Sequence, residues 1–100
     1  MSSFQAKLRA VNLPMELLRN FTLIVETGSM ISAVDRALVS QSALSLQMKR
    51  LEDLVQMPLF VRHGRRLSLS PAGQSLLVHA REILAANDRA VDSLREIGGT

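Results

Sequence analysis

One hundred residues with 47% hydrophobic side chains make one small domain with a modest core, mostly aliphatic because the only aromatics are three Phe. The lack of cysteine excludes a disulfide framework, a thiolate metal site and a cysteine nucleophile, and fits a reducing compartment. The formal net charge is +3; no apolar run follows Lys7 and Arg9, and no uncharged stretch approaches the ~20 residues of a membrane span, so a soluble cytoplasmic protein is expected.

Residues 1–12 have no firm periodicity and read as a tail. From Pro14 to Thr27, Leu17, Leu18, Phe21, Ile24 and Val25 form a helical stripe, with Pro14 suited to the N1 position and Gly28 to the left-handed residue that ends a helix. Met30, Ala33, Val34 and Ala37 then recur at i, i+3, i+4, i+7 behind Ser29, an N-capping hydroxyl. Val39 interrupts that pattern and Ser40 offers a second N-cap, so the next helix starts only a few residues later. In it Leu44, Met48, Leu51 and Val55 share a core face.

Two short helices joined this tightly, over about residues 30–55, spell a helix-turn-helix. The opposite side of the second helix carries Ser42, Ser45, Leu46 and Lys49. Short hydroxyl side chains let a helix approach a duplex closely, Gln41 beside Ser40 can pair bidentately with adenine, and Lys49 and Arg50 can reach phosphates. Taken singly, such serines are more often solvated or capping and such cations are ordinary surface charges; their concurrence on one stripe carries the reading.

Pro58 blocks continuation, and Leu59–Arg62 and Arg66–Ser70 read as short strands around His63-Gly64-Arg65, a hairpin or wing over residues 59–70. Leu67 and Leu69 fall on one side of it, Ser68 and Ser70 on the other. Arg62, Arg65 and Arg66 lie at or beside its tip, and Arg65 is the first choice to enter a minor groove. Arginines there also serve simply to keep an edge strand soluble. Neither His63 nor His79 has a partner at metal-ligand spacing, so no metal or cofactor is expected.

Between Arg36 and Arg66 there are six Lys or Arg (Arg36, Lys49, Arg50, Arg62, Arg65, Arg66) against two acids, Glu52 and Asp53. That balance points to an anionic polymer. An acidic membrane surface fits less well, because the Trp and Tyr anchors of interfacial helices are absent.

Ser70-Pro71 restarts a helix that runs over 71–97 to Gly98-Gly99, a rod about 39 Å long. Leu77, Ala80, Leu84, Asn87, Val91 and Leu94 repeat at a and d of a heptad, with Leu76, Ile83, Ala90 and Ile97 beside them. So much apolar face predicts a homodimer through this helix, with Asn87 in the seam as a register determinant; the alternative is that the helix packs back on its own domain.

The chain resembles the N-terminal winged helix-turn-helix and linker helix of the LysR-type transcriptional regulators. The likeness runs from about Leu13 to Leu94 and rests on Leu18-Arg19 with Phe21, Gly28-Ser29, Val39-Ser40-Gln41 with Ala43-Leu44-Ser45, Gln47 with Leu51-Glu52, Leu59-Phe60 with Arg62, Gly64-Arg65, and Leu69-Ser70-Pro71-Ala72-Gly73. The resemblance implies a mostly α fold, three helices and a two-stranded wing over residues 13–70 followed by a long dimerisation or linker helix. It implies sequence-specific binding of double-stranded DNA at an interrupted dyad, with linker helices pairing antiparallel. A small-molecule effector would act only through the family's larger C-terminal domain, which this chain lacks, so the chain reads as a truncated regulator. Base contacts map onto Gln41, Ser42 and Ser45, phosphate contacts onto Lys49 and its neighbours, and the wing arginine onto Arg65.

Three positions depart from the family pattern: Ser42 replaces a common Pro, Leu46 a common Arg or His, and Gln56 the usual helix-ending Gly. A leucine at 46 can only pack against a thymine methyl or face water. Without a glycine at 56, Pro58 is expected to stop the helix. The rival function is a helical protein-interaction or dimerisation module without specific DNA readout. An enzyme is not expected, since glycine-rich phosphate loops, paired carboxylates and metal clusters are missing from the sequence.

Overall fold

Helix α1, Met15–Thr27, forms because its apolar stripe falls on one face: Leu17, Leu18, Phe21 and Ile24 are all buried. These observations come from a computed structural model that describes residues 10–64 and 66–99, together with Ser3 and Leu8. Most of the expected tail and Arg65, the first choice for the wing contact, lie outside the described residues. Pro14 is not the first helical residue, as its ring would allow, but the capping one. Its ψ of 132° is extended, and its carbonyl accepts the Leu18 N–H at 3.1 Å, so helical dihedrals begin at Met15. Gly28 closes α1 at φ 83°, donating its N–H to the Ile24 carbonyl at 2.8 Å.

Helices α2, Met30–Ala37, and α3, Gln41–Val55, both start at a serine cap: Ser29 Oγ accepts the Ser32 N–H at 3.0 Å and Ser40 Oγ the Ala43 N–H at 3.1 Å. Both end on a non-glycine left-handed residue. Leu38 (φ 58°) and Gln56 (φ 59°) each turn their N–H back to the carbonyl four residues earlier. That conformation costs about 1–2 kcal/mol for a residue with a Cβ. At Gln56 the side-chain amide donates to the Asp53 carbonyl at 2.6 Å, a partial offset. The helix therefore ends at Val55, three residues before Pro58, and the turn at Gln56, not the proline, stops it. Leu44, Met48 and Leu51 bury the inner face of α3, while Val55 is half-buried. The buried Asn20 of α1 donates to Gln47 Oε1 of α3, so the polar group inside the helix pair is satisfied.

Strands β1, Phe60–His63, and β2, Arg66–Leu69, pair antiparallel in the register Phe60 to Leu69, Val61 to Ser68, Arg62 to Leu67 and His63 to Arg66. Gly64 supplies φ 64° in the turn. The Phe60 ring tilts against Phe21 with centroids 5.4 Å apart, seating the wing on α1. Glu52 ties the wing to α3: its carboxylate accepts the N–H groups of Leu59 (2.7 Å) and Phe60 (3.4 Å). Ser70 does not share the outer side of the wing with Ser68. It turns inward and is buried, donating its hydroxyl to the Pro58 carbonyl at 2.6 Å and accepting the Gly73 N–H at 3.0 Å.

Helix α4, Pro71–Gly98, is 28 residues long, about 42 Å. Its first half packs on the domain. Gly73 abuts the Leu59 carbonyl, Ala80 is fully buried, and Leu76, Leu77, Ile83 and Leu84 are partly covered by the core. Ala80 is thereby removed from the expected dimer seam: a heptad pattern does not reveal which part of a stripe the same chain covers. Asn87 is half-buried, and the apolar face re-emerges at Val91 (38% exposed) and Leu94 (68%). An Arg19–Asp88 ion pair at 2.8 Å holds the middle of α4 to α1.

Candidate nucleic-acid interface

The outer side of α3 is built of two adjacent rows, each rising by four residues. One is Gln41, Ser45, Lys49; the other is Ser42, Leu46, Arg50. All six side chains are exposed, because Leu44, Met48 and Leu51 have already turned the opposite side of the helix inward. The first row faces the wing. Gln41 and Ser45 share a cleft with Arg62 and Arg66, and Lys49 joins Ser45 and Arg62 along the adjoining groove. Chain regions some 20 residues apart in sequence thus meet on one face.

The electrostatics favour an anion. Among the described residues Lys49, Arg50, Arg62 and Arg66 are in no ion pair, whereas Arg36, counted in the basic centre by sequence, sits 3.7 Å from Glu26. Glu52 lines the same groove, but its carboxylate is engaged by two wing N–H groups. Asp88, on the distant α4, is held below its ordinary carboxylate range, first by the hydrogen bond from Arg19 and then by that from Asn87.

The hydroxyls differ in what they offer. Ser40 is spent on capping, and its Oγ lies 3.3 Å from Ser42 Oγ. Ser45 donates to Met30 Sδ at 3.5 Å, a weak acceptor that a stronger one can displace. Sequence reasoning missed the start of α2. Ser29, Met30 and Ile31 border the cleft beside Gln41, and Ile31 is 72% exposed. The available signal was that Ile31 stands off the apolar stripe of its helix. Among the described residues no group of three His, Cys, Asp or Glu could hold a metal ion, and no helix is long and apolar enough to cross a membrane.

Three helices, an antiparallel wing and a long trailing helix define the class as a winged helix-turn-helix domain. Residues 15–74 match the model of the bacterial regulatory helix-turn-helix protein, lysR family, and the chain belongs to that family. It is 47% identical over 89 residues to the HTH-type transcriptional regulator DgdR of Burkholderia cepacia, covering 89% of this chain and 30% of that protein. To the regulator PecT of Dickeya dadantii it is 41% identical over 92 residues, 90% of this chain and 29% of the relative. The chain therefore spans under a third of the length of these curated relatives. In three dimensions it resembles the BenM DBD in a complex with catB site 1 DNA (TM-score 0.82, 27% identity, 88% of this chain and 98% of that one). The CbnR DBD in its DNA complex is similar at TM-score 0.79 and 32% identity, over 86% of this chain and 99% of the other.

Proposed function

We propose that this chain is the DNA-binding, dimerising N-terminal part of a transcriptional regulator of the cytoplasm. It reads double-stranded DNA at an interrupted dyad with residues 13–70 and self-associates through the linker helix, residues 71–97. The observation that carries this reading is the convergence of Gln41, Ser45 and Lys49 on α3 with Arg62 and Arg66 on the wing, whose cations have no ion pair among the described residues. The similar structures of the BenM and CbnR domains, both DNA complexes, support it.

Gln41, Ser42 and Ser45 read base edges; Ser40 caps the helix they stand on. Lys49, Arg50, Arg62 and Arg66 neutralise phosphates, and Arg65 enters the minor groove. Self-association uses Asn87, Val91 and Leu94, with Leu76, Leu77, Ile83 and Leu84 contributing the edges their own core leaves open. Effector sensing belongs to a further domain of the regulator, in keeping with the small share of its relatives that the chain spans.

The test is selection of binding sites from a random duplex pool at about 50 and 200 mM salt. An interrupted dyad is expected. Lys49→Ala should weaken binding to every sequence and reduce the salt slope by about one, while Gln41→Ala should relax preference at one base pair per half-site. Equal losses by both variants on selected and random DNA would refute this division of roles. No binding at all would leave a helical interaction module.

A further inference from the structure

Leu46 sits on the second row of α3 with Ser42 one turn before it and Arg50 one turn after. It is 68% exposed, so it contributes little to the core that Leu44, Met48 and Leu51 hold from the other side of the helix. Lys49 and Arg50, three and four residues on, flank it with cations that take phosphates; Ser42 and Ser45 flank it with side chains short enough to let the backbone come close. A branched apolar side chain placed there cannot satisfy the donors and acceptors of a base edge. Pressed against cytosine N4 or guanine O6 it would strip water from a polar atom and return no hydrogen bond. In the major groove one base alone presents an apolar group, the C5 methyl of thymine.

We propose that Leu46 is a specificity-determining residue that selects a T·A pair in each half-site by packing on the thymine methyl. The inference rests on the DNA-binding reading above. Selection against the other pairs comes from their unsatisfied polar edges, so the contact discriminates by penalty as well as by attraction. One buried methyl corresponds to about fourfold in affinity per half-site.

Sites are selected with the wild-type chain and with Leu46→Ala, which should keep its fold because the side chain is exposed. A thymine present in the wild-type half-site should become degenerate with the variant. That thymine is then replaced by deoxyuridine, which removes the methyl and keeps the pairing. Wild-type affinity should fall about fourfold per substituted half-site, and Leu46→Ala should not respond. 5-Methylcytosine paired with guanine at the same position should bind the wild type better than cytosine does. Failure to recover any consensus would overturn the DNA-binding reading and this inference together. A consensus whose thymines are all indifferent to deoxyuridine, or equally sensitive in both proteins, would overturn the role of Leu46 alone.

Discussion

Replacing Gly73 by alanine sets two opposed effects against each other, and the structure decides the sign. In an open helix interior the change stabilises by about 1 kcal/mol. At position 73 the new Cβ would run into the Leu59 carbonyl oxygen and lie 2.9 Å from Leu69 Cδ2. The Leu59 carbonyl cannot simply retreat. It accepts the Ser70 N–H at 2.9 Å, and the N–H of the same residue is held by Glu52 at 2.7 Å. Overpacking of this kind costs about 1–3 kcal/mol, and loss of the Ser70 bond about 1 more. Less the helix gain, Gly73→Ala should be destabilised by about 1–3 kcal/mol, roughly 5–20 °C in melting temperature for a domain of this size. Urea unfolding should show a lower midpoint at unchanged slope. Gly98→Ala, at the last residue of the same helix with open space around it, is the control and should be neutral to slightly stabilising. A Gly73→Ala chain as stable as the wild type would refute the close approach of α4 to the wing.

Leu38→Gly should raise stability by about 0.5–1 kcal/mol, because relief of the left-handed strain exceeds the entropy cost of glycine and the side chain is 88% exposed; a lower denaturation midpoint would count against it. Leu94→Asp should give monomers in sedimentation with the fold intact, and a dimer of unchanged affinity would remove this part of α4 from the interface; Leu84 is a poorer choice, since it also packs on its own core. Arg19 holds the Asp88 carboxyl below its ordinary range, so the pair stabilises above the pKa of an unfolded aspartate and that contribution disappears as pH falls through the lowered folded value. The stability difference between wild type and Asp88→Asn should accordingly vanish in acid, and a difference independent of pH would contradict the pairing.

Periodicity made the helices and the wing legible: each apolar stripe belongs to one face of one element, and each serine cap stands where its helix begins. The left-handed turns at Leu38 and Gln56 were not legible, because neither residue prefers that conformation and only the surrounding packing imposes it. From the sequence Glu52 counted only toward the charge balance and the family likeness, since nothing local announces that its partners are N–H groups seven and eight residues away. The same limit applies to Ala80, whose place in the repeat was plain while the neighbour that covers it was not. At the candidate site the α3 residues could be read from the sequence. The association of Ser29, Met30 and Ile31 with Gln41 could not, because it depends on how α2 packs against α3.

Glu52 borders the groove that Ser45, Lys49 and Arg62 also line. By gripping the first residues of the wing it ties the hairpin backbone to α3, so the backbone spacing between them is set by the fold. Any misfit between that spacing and a bound duplex then has to be absorbed by the duplex. On the DNA-binding reading, the local bending stiffness of the duplex would then count in site selection, at base pairs beyond those the side chains reach.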